Sequence, residues 1–391
     1  MQKKIIALAV AGLVSGGAFA QSNVTIFGVL DASLVTNSAK GSGMTYGMDS
    51  AALSTTYVGF KGTEDLGNGL KAFFNLIEPI TLTTGGTGSG ASGATTTGYN
   101  NFSVAANVGL AGSFGTLMVG RQRTPVFKAV IAGDALTANS GGLIQQWATV
   151  NIAGQRSPLT GLTVPLPTNT TGGARLPDSY AGGIGYTTPN LSGFQAEVFV
   201  NAGNNITGAP YSDNGMRELG VSYTNGSIYV GWAYDETSGR VAANAVTGVF
   251  PGNITESKTN TLGGSYTVGK LRVAAGWYNI KYDASLHATN HDNSAWNLGA
   301  TYVVAPMTYG VEYTSGKDDT MSSNKDNMLA FLAQYTMSKR TSLYTILATV
   351  SNSGEAVMQP IWSAASLSNV GVLDARNGRN TSLVLGIRHT F

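Results

Sequence analysis

The sequence predicts an all-β fold: a sixteen-stranded antiparallel transmembrane β-barrel with a long third loop folded into the lumen. Three observations predict it. Apolar and polar side chains alternate with a period of two along most of the chain, tight turns exchange regularly with long polar segments, and no apolar run is long enough for a spanning helix once an export leader is set aside. Composition agrees: of 391 residues 42% are hydrophobic and only 11% charged, so an ordinary soluble surface cannot be built. The 52 glycines come with only 11 prolines, which excludes collagen and proline-rich disorder. With no cysteine and three histidines, disulfide frameworks, thiolate metal sites and thiol nucleophiles are excluded. A formal net charge of +2 argues against a basic nucleic-acid binder.

The leader comes first. Lys3 and Lys4 precede an apolar run over 5–14, and the segment closes on Ala18-Phe19-Ala20, so residues 1–20 read as a signal peptide cut before Gln21. It holds two of the 23 basic residues and none of the 21 acidic ones, leaving the exported domain, 21–391, formally neutral.

The strands follow. Val24, Ile26, Leu30, Ala32 and Leu34 share one parity, and Thr25, Asp31 and Ser33 the other. Phe194, Ala196, Val198 and Val200 oppose Gln195 and Glu197, and Leu219, Val221 and Tyr223 oppose Glu218 and Ser222. The same holds for Ile228, Val230 and Trp232 against Asp235, Val273 and Trp277 against Arg272, and Tyr309 and Val311 against Glu312. Such a strand separates a greasy side from a wet one. Glu78 and Arg121 break the pattern, sharing parity with apolar neighbours: Glu78 is expected at a bulge near Ile77 or at its strand's end beside Pro79, and Arg121 beyond a bend at Gly120. The strands at 325–337 and 339–351 alternate poorly and leave their register open.

Connections set the strand count. Tight turns are expected near 63–69, 111–115, 188–193, 225–226, 267–270, 304–306 and 337–339, and longer loops near 37–52, 83–98, 125–178, 203–215, 237–257, 284–292, 316–324 and 352–378. Seven turns and eight loops join sixteen strands, an even number with short connections at one end, as in bacterial outer-membrane barrels. An open edge would leave peptide groups unsatisfied in lipid, so first and last strands must pair. Leu383, Leu385, Ile387 and the terminal Phe391 suit a closing strand, with Phe391 as its barrel signal. The five tryptophans and 17 tyrosines suit interfacial girdles.

The segment 125–178 is long for a structureless loop and carries its own apolar residues, among them Phe127, Val130, Ile131 and Leu136. Part of it is expected to fold inward against the wall, narrowing the channel, with an external flap as the alternative.

Five motifs run end to end: Val24-Thr-Ile-Phe-Gly-Val-Leu-Asp31, Gly59-Phe-Lys-Gly-Thr-Glu-Asp-Leu-Gly-Asn-Gly-Leu-Lys-Ala72, Phe114-Gly-Thr-Leu-Met-Val-Gly-Arg-Gln122, Tyr186-Thr-Thr-Pro-Asn190 and Gly386-Ile-Arg-His-Thr-Phe391. In this order they resemble the Gram-negative trimeric general porins of the β-proteobacterial type. The resemblance implies a homotrimeric outer-membrane channel for ions and small hydrophilic solutes, without cofactor or nucleic-acid partner, in contact with outer-membrane lipid. It also implies a pore constriction with basic wall residues facing an acidic loop residue. Residue by residue it places Lys61 and Arg121 on the basic wall and Asp134 across from them, with Arg123 an extra cation. Tyr57 stands where many relatives carry arginine, Gly185 replaces another basic residue that Arg175 partly compensates, and Lys128 stands where an acid is frequent. These departures leave ion preference open between anion and cation.

Other signals are weaker. His287 and His291 have helical zinc-ligand spacing but lie in a polar loop, and Gly88-x-Gly90-x-x-Gly93 sits in a Gly/Thr/Ser run rather than between strand and helix. No G-x-S-x-G elbow occurs. The expected function is passive diffusion through a charged constriction. A solute-selective channel of the same fold is the alternative, with a barrel enzyme or adhesin behind it.

Overall fold

A computed structural model describes residues 23–40, 43–87, 102–136, 180–202, 215–238, 253–285, 291–319, 325–354, 360 and 377–391. The leader, Arg175, His287 and the loop beyond 136 lie outside the described residues. In chain order the elements are β1 (Asn23–Ala39), β2 (Gly43–Ser50), β3 (Tyr57–Gly67), β4 (Leu70–Thr81), β5 (Gly86–Thr87), β6 (Ala105–Gly112), β7 (Gly115–Arg123), α1 (Pro125–Gly133), β8 (Tyr180–Thr187) and β9 (Phe194–Asn201). There follow β10 (Met216–Thr224), β11 (Ile228–Ser238), β12 (Asn253–Val268), β13 (Leu271–Ser285), β14 (His291–Val304), β15 (Met307–Asp318), β16 (Lys325–Thr336), β17 (Thr341–Ser353) and β18 (Arg379–Thr390).

The strands form one antiparallel ring of sixteen wall strands. The segment count is higher because β2 and β3 share one wall position: β1 pairs with β2 over residues 32–39 and with β3 over 23–29, and the chain leaves the wall between them at 51–56. The two-residue β5 only extends the end of β4. Closure is made by β1 against β18, from Val29 opposite Thr390 to Ala39 opposite Asn380, and by two backbone hydrogen bonds of 3.1 Å between Gly28 and Phe391. No edge is left open, as a bilayer requires.

The seven expected tight turns fall at 68–69, 113–114, 188–193, 225–227, 269–270, 305–306 and 337–340. The first long loop is shorter than expected. Instead of breaking at 37–52, β1 runs to Ala39 and β2 starts at Gly43, since residues 32–39 have a ladder partner on each side, and the irregular stretch moves to 51–56. The β16–β17 pair, whose alternation is poor, has an unbroken register from Lys325 opposite Ser353 to Thr336 opposite Ser342. There the neighbours, not the strands' own pattern, set the alignment.

Burial is inverted relative to a soluble protein. Ile26, Leu34, Val108, Leu219, Val221, Leu298, Leu347 and Leu385 are exposed, while Asp31, Glu218, Asp235, Glu312, Asn297 and Ser382 are buried. Within each strand the two sets lie on opposite faces, so the greasy face looks outward and the polar face inward. Among the described residues no helix is long and apolar enough to cross a membrane, so crossing falls to the strands.

Candidate functional site

The site begins where β7 ends. Thr124 has extended backbone and its side chain accepts from Phe127 N at 3.4 Å, an N-cap, and Pro125 follows at the first helical position, where its missing N–H costs nothing. One flank of α1 is buried, through Val126, Phe127, Ala129, Val130 and Gly133. It packs on the polar face of β10 to β13. Two glycines make the approach possible: a Cβ on Gly263 would fall on the Ala129 carbonyl oxygen, and one on Gly133 would come 2.7 Å from the Ala275 carbonyl oxygen.

Wall charges hold both ends of this helix. At its N-terminus the buried Glu218 carboxylate accepts from Val126 N at 2.8 Å, an amide that the helix start leaves unpaired. At its C-terminus the Arg272 guanidinium donates to the carbonyls of Asp134 (2.7 Å), Ala132 (3.2 Å) and Ala135 (3.3 Å), and Asn297 donates to Gly133 O at 2.8 Å. Glu312, fully buried, accepts from Ala135 N at 2.6 Å. The positive charge of Arg272 complements the C-terminal end of the helix dipole, and Glu218, Arg272 and Asn297 each bind a group that the helix ends leave unpaired, whereas Glu312 takes the Ala135 amide just beyond the last helical residue. Midway, Lys128 pairs with Glu197 of β9 at 2.5 Å.

A different arc carries the other charges. Lys61 of β3 lies with its ammonium 5.1 Å from the Phe27 ring centroid, and Phe27 meets Tyr57 edge-on at 5.9 Å. The Arg123 guanidinium stands 5.8 Å from the Phe127 ring. These separations suit cation–π attraction. Tyr57, Asn75, Asn107, Gln122, Arg123 and Lys128 are among the residues lining a cavity of about 220 Å³, and Asn75 donates to Asn107 at 3.1 Å across it. The 51–56 excursion that leads into Tyr57 is held by Asp31, whose carboxylate accepts from Leu53 N (3.0 Å), Ser54 N (2.6 Å) and the Tyr344 hydroxyl (2.5 Å).

The expected site residues therefore separate. Tyr57 and Arg123 line one cavity, with Lys61 on the same arc. Arg121 stays in phase with Leu117 and Val119: Gly120 adopts φ +114°, yet the register runs through it without a shift, Gly120 lying opposite Asn107 and Gly183. Its guanidinium donates to the Ser103 carbonyl, and it does not line that cavity. Glu78, past the last β4–β6 pair at Ile77 and Ala105, accepts from Phe102 N, so the two parity-breaking charges hold the adjacent residues 102 and 103. Asp134 is buried at the far end of α1, where it accepts from Leu136 N at 2.8 Å. The nine residues of α1 put it about 13 Å along the helix from Arg123. Phe391 sits at the seam, its ring against Gly28.

Parity placed Glu218, Arg272 and Glu312 on the inward face, but their anchoring role was missed. The signal was the Thr124-Pro125 pair, a helix-start signature inside a presumed loop. Among the described residues no cluster of three or more His, Cys, Asp or Glu could hold a metal ion.

The model of the Gram-negative porin family matches residues 7–355. Outer membrane porin protein 32 of Delftia acidovorans is 29% identical over 400 residues, covering 100% of both chains. Major outer membrane protein P.IB of Neisseria gonorrhoeae is 28% identical, covering 88% of this chain and 91% of the relative. Among solved structures the anion-selective porin from Comamonas acidovorans superposes with a TM-score of 0.73 at 24% identity, covering 95% of this chain and all of that one. With the closed ring, the inverted burial and the match over most of its length, the chain belongs to the Gram-negative porin family, a channel of the outer membrane for passive diffusion and not an enzyme.

Proposed function

We propose that α1 and the loop it opens narrow the lumen, and that the field at this narrowing favours small anions among the ions and hydrophilic solutes that diffuse through. The observation that carries this reading is the unequal use of charge. Carboxylates beside α1 face backbone amides: Glu218 the amide of Val126, Glu312 that of Ala135 and Asp134 that of Leu136. Lys61 instead lies over the Phe27 ring on the arc that bears the cavity, and Arg123, which lines the cavity, lies over the Phe127 ring of α1. A narrowing whose acids turn an oxygen to backbone amides while cations line its open space attracts anions. The similar Comamonas protein, described as anion-selective, supports the same sign. The test is the reversal potential of single channels in a planar bilayer under a potassium chloride gradient. K61Q/R123Q should lower the anion-to-cation permeability ratio, and an unchanged ratio would remove both residues from the filter.

The assembly we propose is a homotrimer. Met44, Tyr46 and Met48 on the outward face of β2 are 72%, 85% and 64% exposed, an apolar strip suited to burial against another copy. Native mass measurement should give three chains, and Tyr46→Lys should yield single barrels. The leader 1–20 is removed on export in this reading, which N-terminal sequencing of the mature protein checks. Phe391 serves as the barrel signal; deleting it, which removes both bonds to Gly28, should leave unfolded chain in the periplasm.

A further inference from the structure

We propose that the outward face of β14–β17 holds one anionic phospholipid of the periplasm-facing leaflet, with an acyl chain in a groove and the phosphate at a basic rim. The groove has a volume of about 490 Å³ and an almost wholly apolar lining. Register explains its shape. Tyr302 and Tyr309 stand opposite each other as one bank, Phe331 and Leu347 as the edge nearer the membrane centre, and the small Ala333 and Thr345 make the floor between them. The ring residues and Leu347 are exposed, so the groove opens outward, toward lipid.

Charge identifies the occupant. Ala333 lies three residues before the end of β16, about 10 Å from the strand's tip, at the tight-turn end, which in such barrels faces the periplasm. Beyond that tip stand the exposed Lys339 and Arg340, and the exposed Lys270 lies in the turn before β13, whose Leu271 pairs with Tyr302 of the opposite bank. The turn-end segments 266–273, 302–309, 334–343 and 386–391 contain no aspartate or glutamate. By contrast the β3–β4 turn end carries Glu64 and Asp65. A groove that takes a hydrocarbon chain, with cations at headgroup depth on both sides, selects a lipid with a negative head; each such cation is worth roughly a fivefold preference.

The experiment uses the full-length mature protein in vesicles of phosphatidylcholine and phosphatidylglycerol, extracted into mild detergent and weighed by native mass spectrometry. One phosphatidylglycerol per barrel should be retained at least fivefold over phosphatidylcholine. K339Q/R340Q should lower that preference on the order of fivefold per cation removed while leaving single-channel conductance unchanged. Ala333→Phe, which fills the floor, should abolish retention of either lipid. Equal retention of the two lipids by the wild type, unchanged preference in K339Q/R340Q, or displacement of phosphatidylglycerol by lipopolysaccharide from mixed vesicles would each overturn the assignment.

Discussion

The two arcs of the lumen wall are built from the same alternating strands and use charge in opposite ways. Under α1, the buried Glu218 and Glu312 each turn one carboxylate oxygen to a backbone amide, and the Arg272 guanidinium donates to three carbonyls. On the β3 and β7 arc, Lys61 is exposed and Arg123 borders a cavity. Inward-facing charges are therefore not interchangeable: one group fixes a segment in place, and the other, in the function proposed above, presents a field. A count of pore charges mixes structure with selectivity, and only the docked helix separates them.

The sharpest way to break the contrast is to lift the helix. Gly263→Leu drives a side chain into the Ala129 carbonyl and should cost about 3 kcal/mol, seen as a lower melting temperature of the β signal with larger, noisier single-channel conductance. Arg272→Met should cost about 2 kcal/mol, because the carbonyls at the helix end lose a charged donor. Its permeability ratio should change less than that of K61Q/R123Q, which should alter selectivity and leave the melting temperature nearly in place. Equal selectivity changes in both variants would erase the distinction between arcs. Raising salt from 0.1 to 1 M shortens the screening length from about 10 Å to about 3 Å, so the wild-type preference should shrink while the helix stays docked. The smallest effect is expected from Lys128→Met: its pair with Glu197 is partly exposed and should contribute under about 1 kcal/mol to melting.

The ring was legible because period-two patterning and tight turns are local signals. Val221 against Glu218 and the turn after Thr224 can be found without knowing what lies across the sheet. The extent of β1 and β2 was not, since their extra residues are ordered by ladder partners remote in sequence. The placement of the candidate residues, as distinct from their role, was legible in part. Tyr57, Lys61 and Arg123 lie on the expected arc, but the position of Asp134 depends on nine helical residues that a loop reading does not foresee. Arg121 shows the limit of parity: a glycine at positive φ did not shift the ladder, and the side chain found a carbonyl on its own face.

The seam between Gly28 and Phe391 joins β1 to the end of β18, and Asp31 meets Tyr344 across 313 positions of sequence. The cylinder can be sealed only once β18 has been made, so no fragment lacking that strand can adopt the finished shape. Such distant pairing folds slowly, and until it forms the lipid-facing side chains of the strands lack the cylinder that sorts them from the polar face.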